Sequence, residues 1–320
     1  MQQKLASIDV GTNTLRLWIG KIKDQKILTL HTDRANSRLG EGLKQQGVIN
    51  EKAVARAVPI LERFKEGMER HSVDDFRAIG TSVFRKAGNG EETIQRLYNQ
   101  TGVPIDIISG EEEARLSVRG ILWDFPQSCN RAVVADVGGG STELIIVRDY
   151  RIEAVHSIDL GAVYLTETYF KHDPPLDKEI EGLRVCAAEQ LGKVIILAPF
   201  KDIIREGGYR LVGTAGTATT LAAMDLVLRN YISELVHGHV LTINKLLALF
   251  DRLRVKKAKD TLALAGLEPG REDIIVAGLI VWIGLLKAFF LSEMTVSHNG
   301  ILEGIAIDIW ERNREICYTR

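Results

Sequence analysis

The same short loop occurs twice in this sequence, once in each half of the chain. The first copy reads DVGTNT from Asp9 to Thr14, and the second reads DVGGGSTE from Asp136 to Glu143. Each copy follows one apolar run and precedes another, so the pattern predicts a strand, a turn and a second strand. A single Asp-x-Gly turn would be ordinary, because turns favour these residues. Its repetition predicts a duplicated fold.

The residue types in the two loops suit phosphate. Glycine allows a tight turn whose N–H groups face outward, where they can bind phosphate oxygens. The hydroxyls of Thr12, Thr14 and Ser141 add hydrogen-bond donors. The aspartates at the strand ends, Asp9 and Asp136, can hold a divalent cation. Two such loops in a duplicated fold can hold a phosphate chain from both sides, so the pattern predicts phosphate chemistry.

Composition limits the classes of protein to consider. A chain of 320 residues is long enough for two domains, and 45% hydrophobic with 26% charged residues is typical of globular proteins. The net charge of −1 excludes a protein built to coat nucleic acid, so an anionic ligand must meet local positive groups and a metal ion. The three cysteines are far apart, which indicates reduced thiols and a cytoplasmic protein.

The longest apolar segment, residues 274–291, approaches the length of a membrane span. Lys287 is its only charged residue. However, Gly278 and Gly284 suit close packing, and the polar residues 271–273 make a good helix start. We therefore predict a helix buried between domains and no membrane span.

Strands and helices alternate along the chain, which predicts an α/β fold of sheets covered by helices. The predicted strands lie near residues 4–10, 15–22, 26–33, 75–80, 104–108, 131–136, 142–158, 209–213 and 293–297. The predicted helices begin after the cap residue Asn50 and lie near 91–100, 111–122, 161–171, 177–197, 244–265 and 272–291, with two more starting at about 217 and 301.

A cluster of three glutamates opens one of the predicted helices. Ser109 and Glu112 form the pattern of a capping box, and Glu111 with Arg115 forms an i,i+4 pair. These roles account for two of the glutamates without any function. The third, Glu113, lies one turn inside the helix, where a carboxylate can hold and deprotonate an attacking water. Spacing alone favours a structural role for it.

Two further turns can bind anions. Gly213, Thr214 and Gly216 follow a predicted strand and open a helix, which is a generic anion site. No lysine follows the second glycine, so the turn is not a Walker A loop. Arg85 ends the segment 80–85 after another predicted strand and can contact a phosphate with two N–H groups. A surface arginine without a ligand explains that residue equally well.

Together and in this order, these motifs resemble the exopolyphosphatase / guanosine pentaphosphate phosphohydrolase (Ppx/GppA) family. That family belongs to the superfamily of actin-like ATPase domains. The resemblance implies two ribonuclease-H-like α/β domains that face each other across a cleft. It places the first at residues 1–124, joined by the C-terminal helix 303–320, and the second at 125–302. The motifs that carry the resemblance are residues 9–14, 38–42, 80–85, 109–115, 136–143, 213–220 and 297–304.

The resemblance also implies a role for each candidate residue. Glu113 corresponds to the water-activating base, which reverses the preference drawn from spacing. The positions that hold Mg²⁺ or another divalent cation correspond to Asp136 and Glu143, with Asp9 as a further contributor. The phosphate-binding positions correspond to Thr12, Asn13, Thr14, Arg85, Gly138, Gly139, Gly140 and Ser141, and the nucleotide-side loop corresponds to Gly213, Thr214 and Gly216.

The implied reaction is hydrolysis of a terminal phosphoanhydride bond. The substrate is inorganic polyphosphate, which releases orthophosphate, or guanosine pentaphosphate, which gives the tetraphosphate. Long family members carry an added helical C-terminal domain for which a chain ending at Arg320 has no room, and this favours short polyphosphates or the nucleotide. An ATP-dependent phosphotransferase and a non-catalytic sensor of guanosine polyphosphates remain alternatives. No nucleic-acid or membrane partner is expected, and a homodimer is an open option.

Overall fold

The computed structural model describes residues 3–123, 125, 131–149 and 151–318. The chain forms two compact units. Unit 1 comprises Met1–Asp124 and Asn299–Arg320, so the last helix returns to the first part of the chain. Unit 2 comprises Phe125–His298.

In its described residues, unit 1 contains a five-stranded sheet and six helices. The strands are β1 (Leu5–Val10), β2 (Thr14–Lys23), β3 (Lys26–Asn36), β4 (Asp75–Gly80) and β5 (Ile105–Ile107). The helices are α1 (Leu43–Gln46), α2 (Glu51–Arg70), α3 (Ser82–Lys86), α4 (Gly90–Thr101), α5 (Gly110–Leu122) and α14 (Ile301–Tyr318). The strand order is β3-β2-β1-β4-β5. Strands β1, β2 and β3 are antiparallel neighbours, whereas β4 and β5 run parallel to β1.

Strand β1 is buried along its whole length because both faces of the sheet are covered. Its residues alternate between two hydrophobic clusters. Ala6, Ile8 and Val10 pack in a cluster with residues of α2, while Leu5 packs in a second cluster with residues of α5 and α14. β1 therefore has apolar neighbours on both faces of the sheet.

Unit 2 repeats the arrangement with one added edge strand. The strands are β6 (Arg131–Val137), β7 (Thr142–Arg148), β8 (Arg151–Ile158), β9 (Arg210–Thr214), β10 (Val240–Thr242) and β11 (Glu293–Val296). The helices are α6 (Ala162–Tyr169), α7 (Asp177–Ile195), α8 (Ala198–Glu206), α9 (Ala215–Asp225), α10 (Ser233–Val236), α11 (Ile243–Leu253), α12 (Ala258–Thr261) and α13 (Ile275–Ala288).

The sheet of unit 2 has the order β10-β11-β9-β6-β7-β8. Strands β6, β7 and β8 are antiparallel neighbours, and β9 and β11 run parallel to β6. The order β8-β7-β6-β9-β11 in unit 2 matches the order β3-β2-β1-β4-β5 in unit 1, strand for strand and direction for direction. The duplicated ribonuclease-H-like fold is therefore confirmed.

Three predictions about the strands and helices differ from the structure. The single strand predicted at 142–158 is two strands, because Asp149 has a positive φ of 49° and turns the chain. The single helix predicted at 244–265 is broken between α11 and α12, where the Asp173 side chain accepts a hydrogen bond from the Ala258 N–H (2.8 Å) at the start of α12.

The third difference concerns the apolar helix α13. The sequence predicts that it lies between domains, but it forms part of the hydrophobic core of unit 2. Its side chains are apolar on nearly every face because other elements of the same unit, including α7 and α11, pack around it. Within the part of the chain that the structure describes, no helix has both the length and the apolar character to cross a membrane.

Helices α5 and α14 touch through their backbones. A Cβ atom added to Gly120 would lie 1.9 Å from the carbonyl oxygen of Gly300. A Cβ atom added to Gly304 would lie 1.9 Å from the carbonyl oxygen of Leu116. Only glycine allows this approach from both sides, so the pair of glycines sets the distance between the two helices.

We expect Gly120→Ala and Gly304→Ala each to destabilise the protein by about 1–3 kcal/mol, because the new methyl group forces the two backbones apart. The control is Gly192→Ala in α7, where an added Cβ meets no atom within 4 Å among the described residues. That substitution should stabilise the protein by about 0.5–1 kcal/mol through higher helix propensity. Urea unfolding measures all three, and equal effects at the three sites would contradict the proposed contact.

Candidate active site

In unit 1, the loop between β1 and β2 (residues 11–14) is anchored through its carbonyl groups. The carbonyl oxygen of Thr12 accepts a hydrogen bond from the Gly40 N–H (2.8 Å), and that of Asn13 accepts one from the Arg38 N–H (2.9 Å). Within the described residues, the N–H groups of Thr12 and Asn13 have no partner. Because the carbonyls are engaged on one side, donors remain on the other, as an anion requires.

In unit 2, the loop between β6 and β7 is arranged in the same way. The carbonyl oxygen of Gly138 accepts from the Ala162 N–H (2.9 Å), and that of Gly139 accepts from the Val163 N–H (3.0 Å). These donors belong to the first turn of α6, so the loop caps that helix. The N–H groups of residues 139–141 have no partner in the described part of the chain. Three consecutive amides are thus available to an anion.

The two loops also close identically. The Gly11 N–H donates to the Thr14 carbonyl oxygen at 3.1 Å, and the Gly138 N–H donates to the Ser141 carbonyl oxygen at 3.0 Å. The loops that repeat in sequence are therefore equivalent in backbone structure as well. This equivalence allows the side chains at matching positions to be compared directly.

The residue opposite the loop aspartate differs between the units. In unit 1, Asp9 pairs across the strands with Arg16. The guanidinium donates to Asp9 Oδ2 from Nη2 at 2.6 Å and from Nε at 3.0 Å. The Asp9 side chain is only 7% exposed, and its Oδ1 has no hydrogen-bond partner among the described residues. In unit 1, the Arg16 guanidinium is therefore the cation that pairs with Asp9.

In unit 2, the matching pair is Asp136 and Glu143, so two carboxylates face each other across the strands. Two hydroxyls hold the Glu143 carboxylate. Ser141 Oγ donates to Glu143 Oε1 at 2.6 Å, and Ser157 Oγ donates to the same oxygen at 2.9 Å. No described group of three or more His, Cys, Asp or Glu residues has the geometry of a metal site. Two carboxylates nevertheless suit Mg²⁺, which takes its other ligands from water and phosphate.

The third predicted turn lies beside this carboxylate pair. Asp136 aligns with Glu143 on one neighbouring strand and with Thr214 on the other. Helix α9 starts after Thr214. A Cβ atom on Gly216 would lie 1.6 Å from Arg271 Nη2, so the guanidinium covers this glycine. Arg271 is held by Glu268 (2.6 Å).

Unit 1 brings Glu113, Arg85 and the first loop together. Arg85 Nη2 donates to Glu113 Oε2 at 2.9 Å, and Nη1 donates to the Ile108 carbonyl oxygen at 2.7 Å. Both side chains are about one-third exposed, so solvent reaches the carboxylate. Helix α3, which carries Arg85, also meets the first loop, where Ser82 Oγ lies 3.2 Å from Thr12 Oγ1.

The structure corrects one predicted ion pair at the start of α5. Ser109 caps the helix, since its Oγ accepts from the Glu112 N–H (3.1 Å), but the predicted capping box is incomplete because the Glu112 carboxylate bonds to Arg115. Arg115, however, pairs with Glu112 (2.7 Å) and not with Glu111. Arg115 also contacts Asp308 of α14, which draws it to that side of the helix. The hydrogen bond from Arg115 lowers the pKa of Glu112 against the opposing effect of burial, and the charges of neighbouring arginines add to this.

Two predicted hydroxyl donors are already engaged. Thr14 Oγ1 donates to Asn36 Oδ1 (3.0 Å), and the Ser141 hydroxyl donates to Glu143. Sequence reasoning missed Ser157 and Arg271, which reach the site only through strand pairing and packing. Arg16 was also missed, although its place opposite Asp9 follows from the hairpin register and was readable in the sequence.

Comparison with known proteins shows one family. The Ppx/GppA phosphatase family model matches residues 18–313. Exopolyphosphatase 2 of Mycobacterium tuberculosis is 31% identical over 319 residues, covering 96% of this chain and 98% of that protein. The guanosine-5'-triphosphate,3'-diphosphate pyrophosphatase of Vibrio vulnificus is 27% identical over 311 residues, which cover 97% of this chain and 60% of that longer protein.

Solved structures agree with this result. A crystal structure of the Aquifex aeolicus Ppx/GppA phosphatase is 29% identical and has a TM-score of 0.85, covering 96% of this chain and 99% of that one. An exopolyphosphatase from Cytophaga hutchinsonii is 30% identical with a TM-score of 0.75, covering 94% of this chain and 96% of that one.

The Asp9–Arg16 pair generates a prediction about stability. We expect Arg16→Gln to cost about 1–3 kcal/mol, because it leaves the buried Asp9 carboxylate without its cation. Adding Asp9→Asn to that variant should recover much of the loss. The control is Arg63→Gln, which breaks a similar two-pronged pair with the more exposed Asp33 (26% exposed) and should cost less than about 1 kcal/mol. Urea unfolding measures each variant, and equal losses for the two arginine variants would contradict the prediction.

Proposed function

Because the chain belongs to the Ppx/GppA phosphatase family, we propose that it hydrolyses the terminal phosphoanhydride bond of inorganic polyphosphate or of guanosine pentaphosphate. The observation that best supports this function is the pair of equivalent loops whose carbonyls are engaged and whose amides are open. A chain of phosphates needs many fixed donors, and backbone amides supply them without reorganisation. We also infer that the enzyme works in the cytoplasm.

Glu113 is the base in this proposal. Its carboxylate takes a proton from a water molecule while the water oxygen attacks the terminal phosphorus. The P–O bond of the anhydride then breaks, the bridging oxygen leaves with the shortened phosphate chain, and orthophosphate is released. Arg85 holds the Glu113 carboxylate at 2.9 Å and offers its remaining N–H groups to phosphate oxygens.

Asp136 and Glu143 are the residues that would hold Mg²⁺, and their donor set fits it. Hydroxyls fix one oxygen of Glu143 and orient the carboxylate. Asp9 contributes less directly, because Arg16 occupies Oδ2 and leaves only Oδ1. When bound, Mg²⁺ would balance negative charge on the phosphate chain.

Phosphate release in the presence of Mg²⁺ tests the function itself. Polyphosphates of defined length and guanosine pentaphosphate are compared as substrates at equal concentration. Release from either supports the proposal. Tight binding without release indicates a sensor, and ATP consumption that requires an acceptor indicates a phosphotransferase; either result would overturn it.

Glu113→Gln should lower kcat by about 100-fold or more, because the amide cannot take the proton. Substrate affinity should change little, since the amide keeps the size of the side chain. The matched control is Glu111→Gln, two residues earlier on the same turn and exposed. Steady-state kinetics and equilibrium binding measure the two effects. Near-normal turnover by the Glu113→Gln variant would remove Glu113 from the base role.

Ser157→Ala should weaken metal activation by about tenfold, because Glu143 loses one of the two hydroxyls that orient it. Glu143→Gln should weaken activation more. Apparent Mg²⁺ affinity is read from the activity, and Mn²⁺ binding to the substrate-free protein is measured separately by electron paramagnetic resonance. Unchanged Mn²⁺ binding in both variants would contradict the assignment of Glu143 as a ligand.

A further inference from the structure

Asp308 on the C-terminal helix α14 lies among three arginines. Its carboxylate is 3.2 Å from Arg77 Nη1, 3.1 Å from Arg115 Nη2 and 3.6 Å from Arg119 Nη1. Arg77 belongs to β4, and the other two belong to α5. The Asp308 side chain is 24% exposed, so the charges are partly shielded from water. One carboxylate therefore ties the last helix of the chain to both the sheet and α5.

The network continues to the residue before the proposed base. Arg115 donates to Glu112 from Nε (2.7 Å) and from Nη2 (2.8 Å) while it contacts Asp308. Arg77 Nη1 also lies 3.9 Å from Glu112. The lowered pKa of Glu112 agrees with this cationic surrounding. Asp308 and Glu112 thus hold Arg115 between them, at the first turn of α5.

The arginines near this turn are divided between neighbouring glutamates. Arg115 forms an ion pair with Glu112, and Arg85 forms an ion pair with Glu113. Without Asp308, Arg115 has an alternative partner in Glu111 at helical i,i+4 spacing. A change of partner would release Glu112 and loosen the turn that carries Glu113. Among the ion pairs of the described residues, Asp308 is the partner of Arg115 that lies outside α5.

We propose that Asp308 is a positioning residue for Glu113. By holding Arg115 on Glu112, it fixes the first turn of α5 so that Glu113 keeps its contact with Arg85. This inference rests on the proposed function, in which Glu113 is the base. A base must lie within hydrogen-bond reach of the attacking water, and a small displacement costs rate more than binding.

The glycine contacts alone do not fix this turn. Gly120 and Gly304 set the distance between α5 and α14. However, Gly120 lies in the last turn of α5, and Gly304 meets α5 at Leu116, one turn after Glu112. A second polar contact of α14 provides a comparison, because Asp75 of β4 accepts a hydrogen bond from Asn313 (2.9 Å). Asp75 is 32% exposed, close to the value for Asp308. Asp75 therefore anchors α14 as Asp308 does. Among the hydrogen bonds and ion pairs of the described residues, however, Asp75 has none with the first turn of α5.

The test compares Asp308→Asn with Asp75→Asn in the full chain. We expect Asp308→Asn to lower kcat by about tenfold with KM unchanged, and Asp308→Glu to restore most of the rate. Asp75→Asn should lower Tm about as much as Asp308→Asn does, but it should leave kcat within about twofold of the unsubstituted protein. Should Asp308→Asn fail to fold, Arg115→Lys tests the same link, because it keeps the charge but loses the two-pronged contact.

A double variant shows whether Asp308 acts through Glu113. In the Glu113→Gln background, Asp308→Asn should change the residual rate less than about twofold, because the step it supports is already lost. An unchanged kcat in Asp308→Asn, an equal loss in Asp75→Asn, or a full tenfold further loss in the double variant would each overturn the inference. Normal activity of Glu113→Gln alone would instead refute the proposed base, so the two failures are distinguishable.

Discussion

In the proposed function, phosphate binding depends on where the carbonyl groups of the two glycine loops are engaged. In unit 1 they accept from the segment that contains Arg38 and Gly40, and in unit 2 they accept from the first turn of α6. Each loop is therefore anchored through its acceptors, and its donors remain open to a ligand. A loop that anchored itself through its amides would present carbonyl oxygens and repel phosphate.

The two copies of the loop differ in the charges that surround them. At the position opposite the loop aspartate, unit 1 carries Arg16 and unit 2 carries Glu143. The first pair is neutral without any added ion, whereas the second pair has two negative charges that favour a divalent cation. Unit 1 also contains Glu113 and Arg85, whereas the proposed function assigns no base to unit 2. The two copies thus keep one backbone and differ in charge.

The features that the sequence predicted well are those set by neighbouring residues. Asn50 caps α2 and Ser109 caps α5, because both caps bond to amides three residues away. The repeated loops were recognisable for the same reason, since each closes through a single hydrogen bond across four residues. The prediction of one strand over 142–158 was wrong, because apolar residues on both sides of Asp149 were taken as continuous and the turn at that residue was overlooked.

The sequence by itself therefore determined the caps and the two loops, because these depend on contacts within a few positions. The repetition of the loop along the chain was enough to indicate the duplicated α/β architecture. Only the tertiary structure decided which side chains surround those loops. Ser157 reaches Glu143 through strand pairing, Arg271 reaches Gly216 through packing, and Asp308 meets Arg77 from the far end of the chain. Such contacts depend on the register and separation of whole elements, which the spacing of residues along one segment does not specify.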